Sequence, residues 1–217
     1  LSSHHDDEPW MSGTRTSDAQ GRYWFFDVPA LRIAIAVNAT QGLYQPGAHS
    51  VFEGAGPPSD PAGVRGLRDA AEAFRRIRAS GNTFLSRGDD SGTHVRELEI
   101  WQQAGGAPEV SDTYVEAGEG MGRCLVIAAE RRAYLLADRG TYLAFRRRLD
   151  LEVLVEGDVE RLRNPYGMIR VDPRTHPGVH ADEARALLDY FTSPTGQRRI
   201  GAFQVDGQVL FHPASSR

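Results

Sequence analysis

The feature that most restricts the fold is a regular alternation of helical and strand patterns that begins near residue 57. Ser59 or Asp60 can cap a first helix, whose apolar residues follow the i, i+3, i+4, i+7 spacing of one helix face. These residues are Ala70, Ala73, Phe74 and Ile77. The remaining pattern predicts strands at 83–86, 133–137, 151–155 and 168–171, between helices at 91–103, 121–131, 181–191 and 194–203. Such alternation predicts a mostly parallel α/β sheet, whose ligands lie at strand carboxyl ends and helix N-termini.

Composition excludes several classes of protein. No apolar run approaches the roughly 18 residues that a membrane-spanning helix needs. The single cysteine, Cys124, excludes an internal disulfide framework and a multi-cysteine zinc site. The formal net charge of −4 argues against a nucleic-acid partner. Before residue 57 only Tyr23–Asp27 and Leu31–Val37 read as strands, which is little regular structure for a segment of this length.

The most informative turn is Ser86-Arg87-Gly88-Asp89-Asp90-Ser91-Gly92-Thr93-His94, which follows a predicted strand and opens a predicted helix. Such a turn directs free backbone N–H groups and the positive end of the helix dipole toward one point, which suits an anion. Ser91 and Thr93 add hydroxyl groups, Gly92 allows close approach to the backbone, and Arg87 adds a forked charge. The same residues also fit a plain cap, with Asp90 or Ser91 capping the helix and Arg87 paired with Asp89. The residues alone leave both interpretations open.

Two further strand-to-helix turns, 116–122 and 136–142, have a similar character. The first enters a helix through three glycines and also fits a flexible loop. In the second, Asp138 can cap the next helix while Arg139 faces solvent. Taken together, the three turns place donor-rich helix starts at three strand ends of one sheet, an arrangement that can bind an oxyanion without metal or catalysis.

Catalytic interpretations have less support. Residues 88–92 read Gly-Asp-Asp-Ser-Gly, as in the nucleophile loop of a serine protease, but no histidine stands in a matching context. Asp89, Asp90, His94 and Glu97 could form a metal cluster, although capping and an exposed helix face explain the carboxylates equally well. No phosphate-binding P-loop or dinucleotide fingerprint is present.

From about residue 56 to residue 213 the chain closely resembles the tungstate-binding proteins of ABC importers, within the type II periplasmic binding protein class. Seven stretches carry the resemblance in the same order: 56–63 (GPPSDPAG), 86–94 (SRGDDSGTH), 120–122 (GMG), 138–143 (DRGTYL), 155–158 (VEGD), 164–167 (NPYG) and 192–197 (TSPTGQ). The resemblance implies an α/β fold of two lobes, each a mixed or parallel sheet flanked by helices, that close on a tetrahedral dianion. The first lobe is expected to be incomplete, because the segment before Pro57 matches the family poorly.

The resemblance also implies a domain division and a set of ligands. An atypical segment at 1–56 would replace part of the first lobe, and 57–82 would be its helical part. Residues 83–168 would form the second lobe with the anion loop, and 169–217 would return to the first. The implied oxyanion ligands are Ser86, Arg87, Ser91, Gly92, Thr93, Met121, Gly122 and Arg139. They would bind through hydrogen bonds and arginine, with no metal, catalytic residue or other cofactor.

The function expected from the resemblance is the substrate-binding component of an ABC importer, not an enzyme, with tungstate as the first candidate ligand and molybdate as the second. Its partners would be the small oxyanion and the membrane permease. We expect a monomer in the periplasm or outside the cell, although the first residues show no signal-peptide pattern. Three alternatives remain: a sensory or regulatory oxyanion-binding domain, a partial receptor without tight binding, and a metal-dependent hydrolase using Asp89, Asp90 and His94.

Overall fold

The computed structural model describes residues 16–18, 21–28, 31–37, 44–174 and 176–214, with side chains from residue 48 onward. The predicted segment 1–56 therefore lies partly outside the described residues. The strands are β1 (Thr16–Asp18), β2 (Gly21–Val28), β3 (Leu31–Val37), β4 (Tyr44–Gly56), β5 (Phe84–Ser86), β6 (Tyr114–Glu116), β7 (Leu135–Asp138), β8 (Glu152–Val155), β9 (Arg163–Ile169), β10 (Gln204–Val205), β11 (Gln208–Val209) and β12 (His212–Pro213). The helices are α1 (Ala70–Ser80), α2 (Gly92–Gln103), α3 (Met121–Arg131), α4 (Arg139–Phe145), α5 (Ala181–Thr192) and α6 (Pro194–Gly201).

The chain divides into two compact units, one of residues 1–49, 165–202 and 212–217, the other of residues 50–164 and 203–211. In the first unit, β1, β2 and β3 form an antiparallel sheet, and β12 pairs antiparallel with the start of β4. The predicted helices α5 and α6 are both present, and Pro194 occupies the first turn of α6. Only glycine fits at position 196, because a Cβ there would lie 2.1 Å from the carbonyl oxygen of Tyr190.

The second unit contains both parallel and antiparallel strand pairs. β5 and β6 are parallel, with Ser86 opposite Glu116, and Phe84 forms a parallel bridge to Tyr134 just before β7. The long strand β4, by contrast, runs antiparallel to β7 and β8. The expectation of a mostly parallel sheet is therefore right for β5, β6 and β7 and wrong for β4, a strand that sequence reasoning missed.

The core of the second unit has two parts. One is an aromatic cluster in which the ring centroid of Phe74 lies 4.7 Å from Trp101 and 4.9 Å from Phe84, while Tyr114 lies 5.9 Å from Trp101. The other packs α3 and α4 against β5 and β7 and consists of aliphatic residues such as Leu125, Leu135, Ala137 and Leu143. These two clusters fix α1, α2 and α3 on the sheet, and with them the loops that follow β5 and β6.

The first helix begins later than expected. Its N-cap is Asp69, whose carboxylate accepts from the Glu72 N–H at 2.9 Å, and not Ser59 or Asp60. Asp60 instead has a left-handed backbone (φ 43°) and accepts from the Tyr134 hydroxyl at 3.0 Å, which holds the 57–64 segment in a turn. The predicted stop at Gly81 is confirmed, with φ 69°.

Residues 57–82 share a core with residues 83–164. The expected boundary between lobes at residue 82 stays a prediction. The buried carboxylate of Asp158 accepts from the Ala70 N–H at 2.9 Å, so the start of α1 is anchored within the same unit. The assignment of the two units to the two lobes stays a prediction. Among the described residues, no helix is long and apolar enough to cross a membrane.

Candidate functional site

The candidate site begins where β5 and β6 end side by side. Beyond the paired strands, the Ala117 N–H donates to the Ser86 carbonyl at 3.0 Å and the Gly118 N–H to the Arg87 carbonyl at 2.9 Å. The two chains therefore stay together before they separate into the loops leading to α2 and α3. Because the strands are parallel, both helices start at the same edge of the sheet, where α/β proteins bind ligands.

The N-terminus of α2 offers backbone donors at this edge. Ser91 is the N-cap, and its hydroxyl accepts from the His94 N–H at 3.3 Å. The N–H groups of Gly92 and Thr93 precede the first intrahelical hydrogen bonds and need an acceptor outside the helix. Apart from its neighbours in the helix, a Cβ added at Gly92 would meet no atom of the described residues within 4 Å, so they leave open space beside these donors. The arrangement suits an anion, which the helix dipole also favours.

Arg87 brings the one full positive charge expected in this loop. Its side chain is 11% exposed, and one terminal nitrogen donates to the Asp89 carboxylate. The Nε of Arg87 is buried and has no acceptor within the described part of the chain. Burial raises the pKa of the Asp89 carboxyl, but hydrogen bonds from Ser91 and the charge and hydrogen bond of Arg87 outweigh this effect. The pKa of Asp89 is therefore below its ordinary value, and the carboxylate stays charged.

A buried carboxylate, Glu97, supports the loop from behind. Glu97 is 0% exposed, whereas sequence reasoning allowed it an exposed helix face. Its Oε2 accepts from the Arg87 N–H at 3.2 Å and its Oε1 from the Tyr114 hydroxyl at 3.0 Å. Burial raises the pKa of Glu97 to about 7, even though the hydrogen bonds from the Arg87 N–H and the Tyr114 hydroxyl oppose the rise. Ser86 is itself fully buried beside this carboxylate, so the structure places it behind the loop.

The second helix start at this edge is that of α3. Its N-cap is Gly120, which provides no side-chain hydrogen bond, so the first N–H groups of α3 also lack an internal acceptor. The side chain of Met121 is buried in the aliphatic core. Gly122 is required by packing, since a Cβ there would lie 2.8 Å from Cζ of Phe145. Both predicted residues therefore face this edge only through their backbone.

Charged groups of the anion loop act on the first turn of α3. Burial raises the pKa of the Cys124 thiol, in the first turn of α3, to about 11, and the charges of Arg87 and Asp89 act on it as well. The anion loop and the start of α3 are thus within electrostatic range of each other.

Arg139 has a different environment. Its Nε donates to the Val209 carbonyl at 3.2 Å, one terminal nitrogen to Gln208 at 2.8 Å, and the other to the fully buried Glu53. Burial raises the pKa of Glu53, and the charge of Arg139 partly offsets this rise. All three guanidinium nitrogens are therefore engaged by the protein, and Arg139 ties β4 to β11.

The residues of the metal alternative are also engaged. Nδ1 of His94 accepts from the Asp90 N–H at 3.0 Å, and Asp89 accepts from both Arg87 and the Ser91 N–H. Within the part of the chain that the structure describes, no group of three His, Cys, Asp or Glu residues could hold a metal ion.

Paired strand ends followed by helix N-termini with available N–H groups are typical of α/β proteins that bind anionic solutes. The family model described as the PBP superfamily domain matches residues 18–195, and the chain belongs to this superfamily. The match confirms the expected α/β class with helices flanking the sheet.

Individual relatives narrow the assignment. The tungstate-binding protein TupA of Peptoclostridium acidaminophilum is 40% identical over 166 residues, which are 75% of this chain and 57% of that protein. Among solved structures, the tungstate-binding protein TupA of Desulfovibrio alaskensis is 40% identical with a TM-score of 0.70, over 78% of this chain and 69% of that one. The tungstate ABC transporter structure from Geobacter sulfurreducens is 45% identical with a TM-score of 0.67, over 74% and 67% of the two chains.

The chain therefore belongs to the family of these tungstate-binding proteins, which confirms the resemblance inferred from the sequence. The relatives are solute-binding proteins, in agreement with the expectation that the chain is not an enzyme. The chain spans about half the length of the curated relatives it matches.

Proposed function

We propose that the chain is the substrate-binding component of an ABC importer and that it binds a tetrahedral oxyanion, tungstate or molybdate. The observation that carries this proposal is the convergence of Arg87 with the helix starts of α2 and α3 at the shared end of β5 and β6. The relatives are named as tungstate-binding proteins, and this supports the choice of ligand.

In this proposal the anion accepts hydrogen bonds from the N–H groups of Gly92 and Thr93, the Ser91 and Thr93 hydroxyls, and the Arg87 guanidinium. The backbone of Met121 and Gly122 adds donors from α3. Ser86 acts from behind the loop, and Arg139 is left out because the protein already engages its guanidinium. The proposed partner is the membrane permease, and the proposed location is the periplasm or the cell exterior. The monomeric state stays a prediction.

Calorimetric titration of the full chain with tungstate, molybdate, sulfate and phosphate tests the proposal. We expect heat with tungstate and molybdate and none with sulfate. A chain that binds none of the four anions, yet hydrolyses a phosphoester when a divalent metal is added, would contradict it. Since tungstate and molybdate share charge and shape, we expect their affinities to be similar.

The role of Arg87 is tested by Arg87→Ala. Loss of a charge-assisted hydrogen bond costs roughly 1.5–3 kcal/mol, so we expect tungstate affinity to fall about 10- to 150-fold. Arg87→Lys keeps the charge but loses the forked guanidinium, so its affinity for tungstate should lie between those of the wild type and Arg87→Ala. Arg185 on the exposed face of α5 provides the matched control, because Arg185→Ala removes the same charge elsewhere. Unchanged affinity in Arg87→Ala would show that Arg87 only pairs with Asp89.

A further inference from the structure

Glu97 is unusual because it is a fully buried carboxylate placed directly behind an anion site. Its two oxygens accept from the Arg87 N–H and the Tyr114 hydroxyl, and both donors are neutral. No arginine or histidine of the described chain forms an ion pair with it. An amide could accept and donate in the same two directions without the cost of a buried charge. The carboxylate therefore needs an explanation beyond geometry.

We propose that Glu97 is the positioning residue of the anion loop and takes up a proton when the dianion binds. The proposal rests on the proposed function. Glu97 holds the Arg87 backbone, and through it the guanidinium that meets the anion. A dianion at the loop brings two negative charges close to a buried carboxylate, so binding favours the neutral carboxyl. The proton removes this repulsion, and affinity rises as the pH falls.

The groups that interact with Glu97 are Arg87 after β5, Tyr114 and Glu116 on β6, and Cys124 on α3. Asp89 and Glu119 act on Cys124 in turn, and His94 lies one turn before Glu97 on α2. Burial raises the pKa values of Tyr114 and Cys124, so both already carry their protons at neutral pH. The carboxylate of Glu116 adds to the repulsion on Glu97.

Asp89 stays charged because its pKa is below the ordinary value, so it is a poor proton acceptor in this range. Burial raises the pKa of Glu97 to about 7, so its proton occupancy can change at neutral pH.

Calorimetry of tungstate binding in buffers of different ionisation enthalpy tests the proposal. At pH 7.5 in Hepes, Mops and Tris, the dependence of the observed heat on buffer gives the number of protons taken up. We expect about half a proton per tungstate for the wild-type chain. Glu97→Gln keeps an acceptor for Arg87 and a partner for Tyr114. In this variant proton uptake should vanish, and the affinity should become independent of pH between 6 and 8. His94→Gln is the matched control and should keep the uptake.

The outcomes separate the two proposals. Failure of all four oxyanions to bind would overturn the proposed function and this inference with it. Binding without proton uptake, or equal uptake in Glu97→Gln, would overturn the inference alone. Infrared difference spectra of the wild-type chain give a second readout that needs no variant: tungstate should increase the protonated carboxyl band. A difference spectrum without that band would refute the assignment.

Discussion

Gly92→Ala separates anion binding from folding at the start of α2. Beyond its own helix, a Cβ at this position would contact no atom within 4 Å in the part of the chain that the structure describes, and the glycine does not have a left-handed backbone. Alanine should therefore fold without strain and raise the free energy of unfolding by up to about 1 kcal/mol, since it restricts the unfolded chain.

Binding should change in the opposite direction. The Cα–Cβ bond of a helical residue tilts toward the helix N-terminus, so the new methyl group enters the space beside the Gly92 and Thr93 N–H groups. An anion displaced from one charge-assisted hydrogen bond loses roughly 1.5–3 kcal/mol, so we expect about 10- to 150-fold weaker tungstate binding.

Urea unfolding without ligand and calorimetry with tungstate measure the two effects. The control is Gly56→Ala, which lies outside the anion site and whose Cβ would lie 2.6 Å from Cδ1 of Tyr134. Overpacking there should lower the free energy of unfolding by about 1–3 kcal/mol. If Gly92→Ala bound tungstate as tightly as the wild type, the N-terminus of α2 would not be the anion site.

Two further predictions concern buried charges. Because the folded chain holds Glu97 with a pKa near 7, against an ordinary value of 4.5, folding favours its protonated form. This stabilisation is complete below pH 4.5 and is lost as the pH rises through 7. Between pH 4 and 8, the free energy of unfolding measured with urea should fall by about 3 kcal/mol more in the wild type than in Glu97→Gln. If the two proteins lost stability in parallel over this range, the raised pKa of Glu97 would be wrong. Arg139→Ala leaves the fully buried Glu53 without its cation and should lower the free energy of unfolding by about 3–5 kcal/mol. Adding Glu53→Gln in a double variant should restore most of this loss. A loss below about 1 kcal/mol in Arg139→Ala would show that the pair does not stabilise the fold.

The helices could be predicted from the sequence because apolar spacing and caps act locally. The predicted stops and starts at Gly81, Ser91 and Pro194 agree with the structure, and α3 has the predicted bounds. The start of α1 was missed because Asp60 and Asp69 are equally good caps by residue type. Only the long-range contact between Asp60 and Tyr134 shows which aspartate belongs to a turn.

β4 could not be predicted because its pattern is interrupted by polar residues that distant partners compensate. Glu53 lies in the middle of this strand and looks exposed in sequence, yet it is fully buried because Arg139 neutralises it. β6 is only 3 residues long, too short for a periodic pattern. Its place beside β5 depends on the aromatic packing of Tyr114.

Glu97, by contrast, could have been found from the sequence. It stands four residues after Thr93, three before Ile100 and four before Trp101, and all four residues are buried on one face of α2. A carboxylate on an apolar helix face must have donors or a changed protonation state. The helical spacing therefore predicts that Glu97 is buried, although its residue type favours an exposed position.

The cap and the anion site, which the sequence left as alternatives, are compatible in the structure because each uses different donors. The Ser91 hydroxyl satisfies only the His94 N–H, the third of the helix, and leaves the Gly92 and Thr93 N–H groups. Asp89 takes one terminal nitrogen of Arg87, while a guanidinium offers five N–H donors and the buried Nε has no acceptor within the described residues. Capping fixes the loop in place, and the donors it leaves over are those that an oxyanion needs. A capped loop of this kind binds without rearranging, so the cost of ordering its donors is met during folding and not on binding.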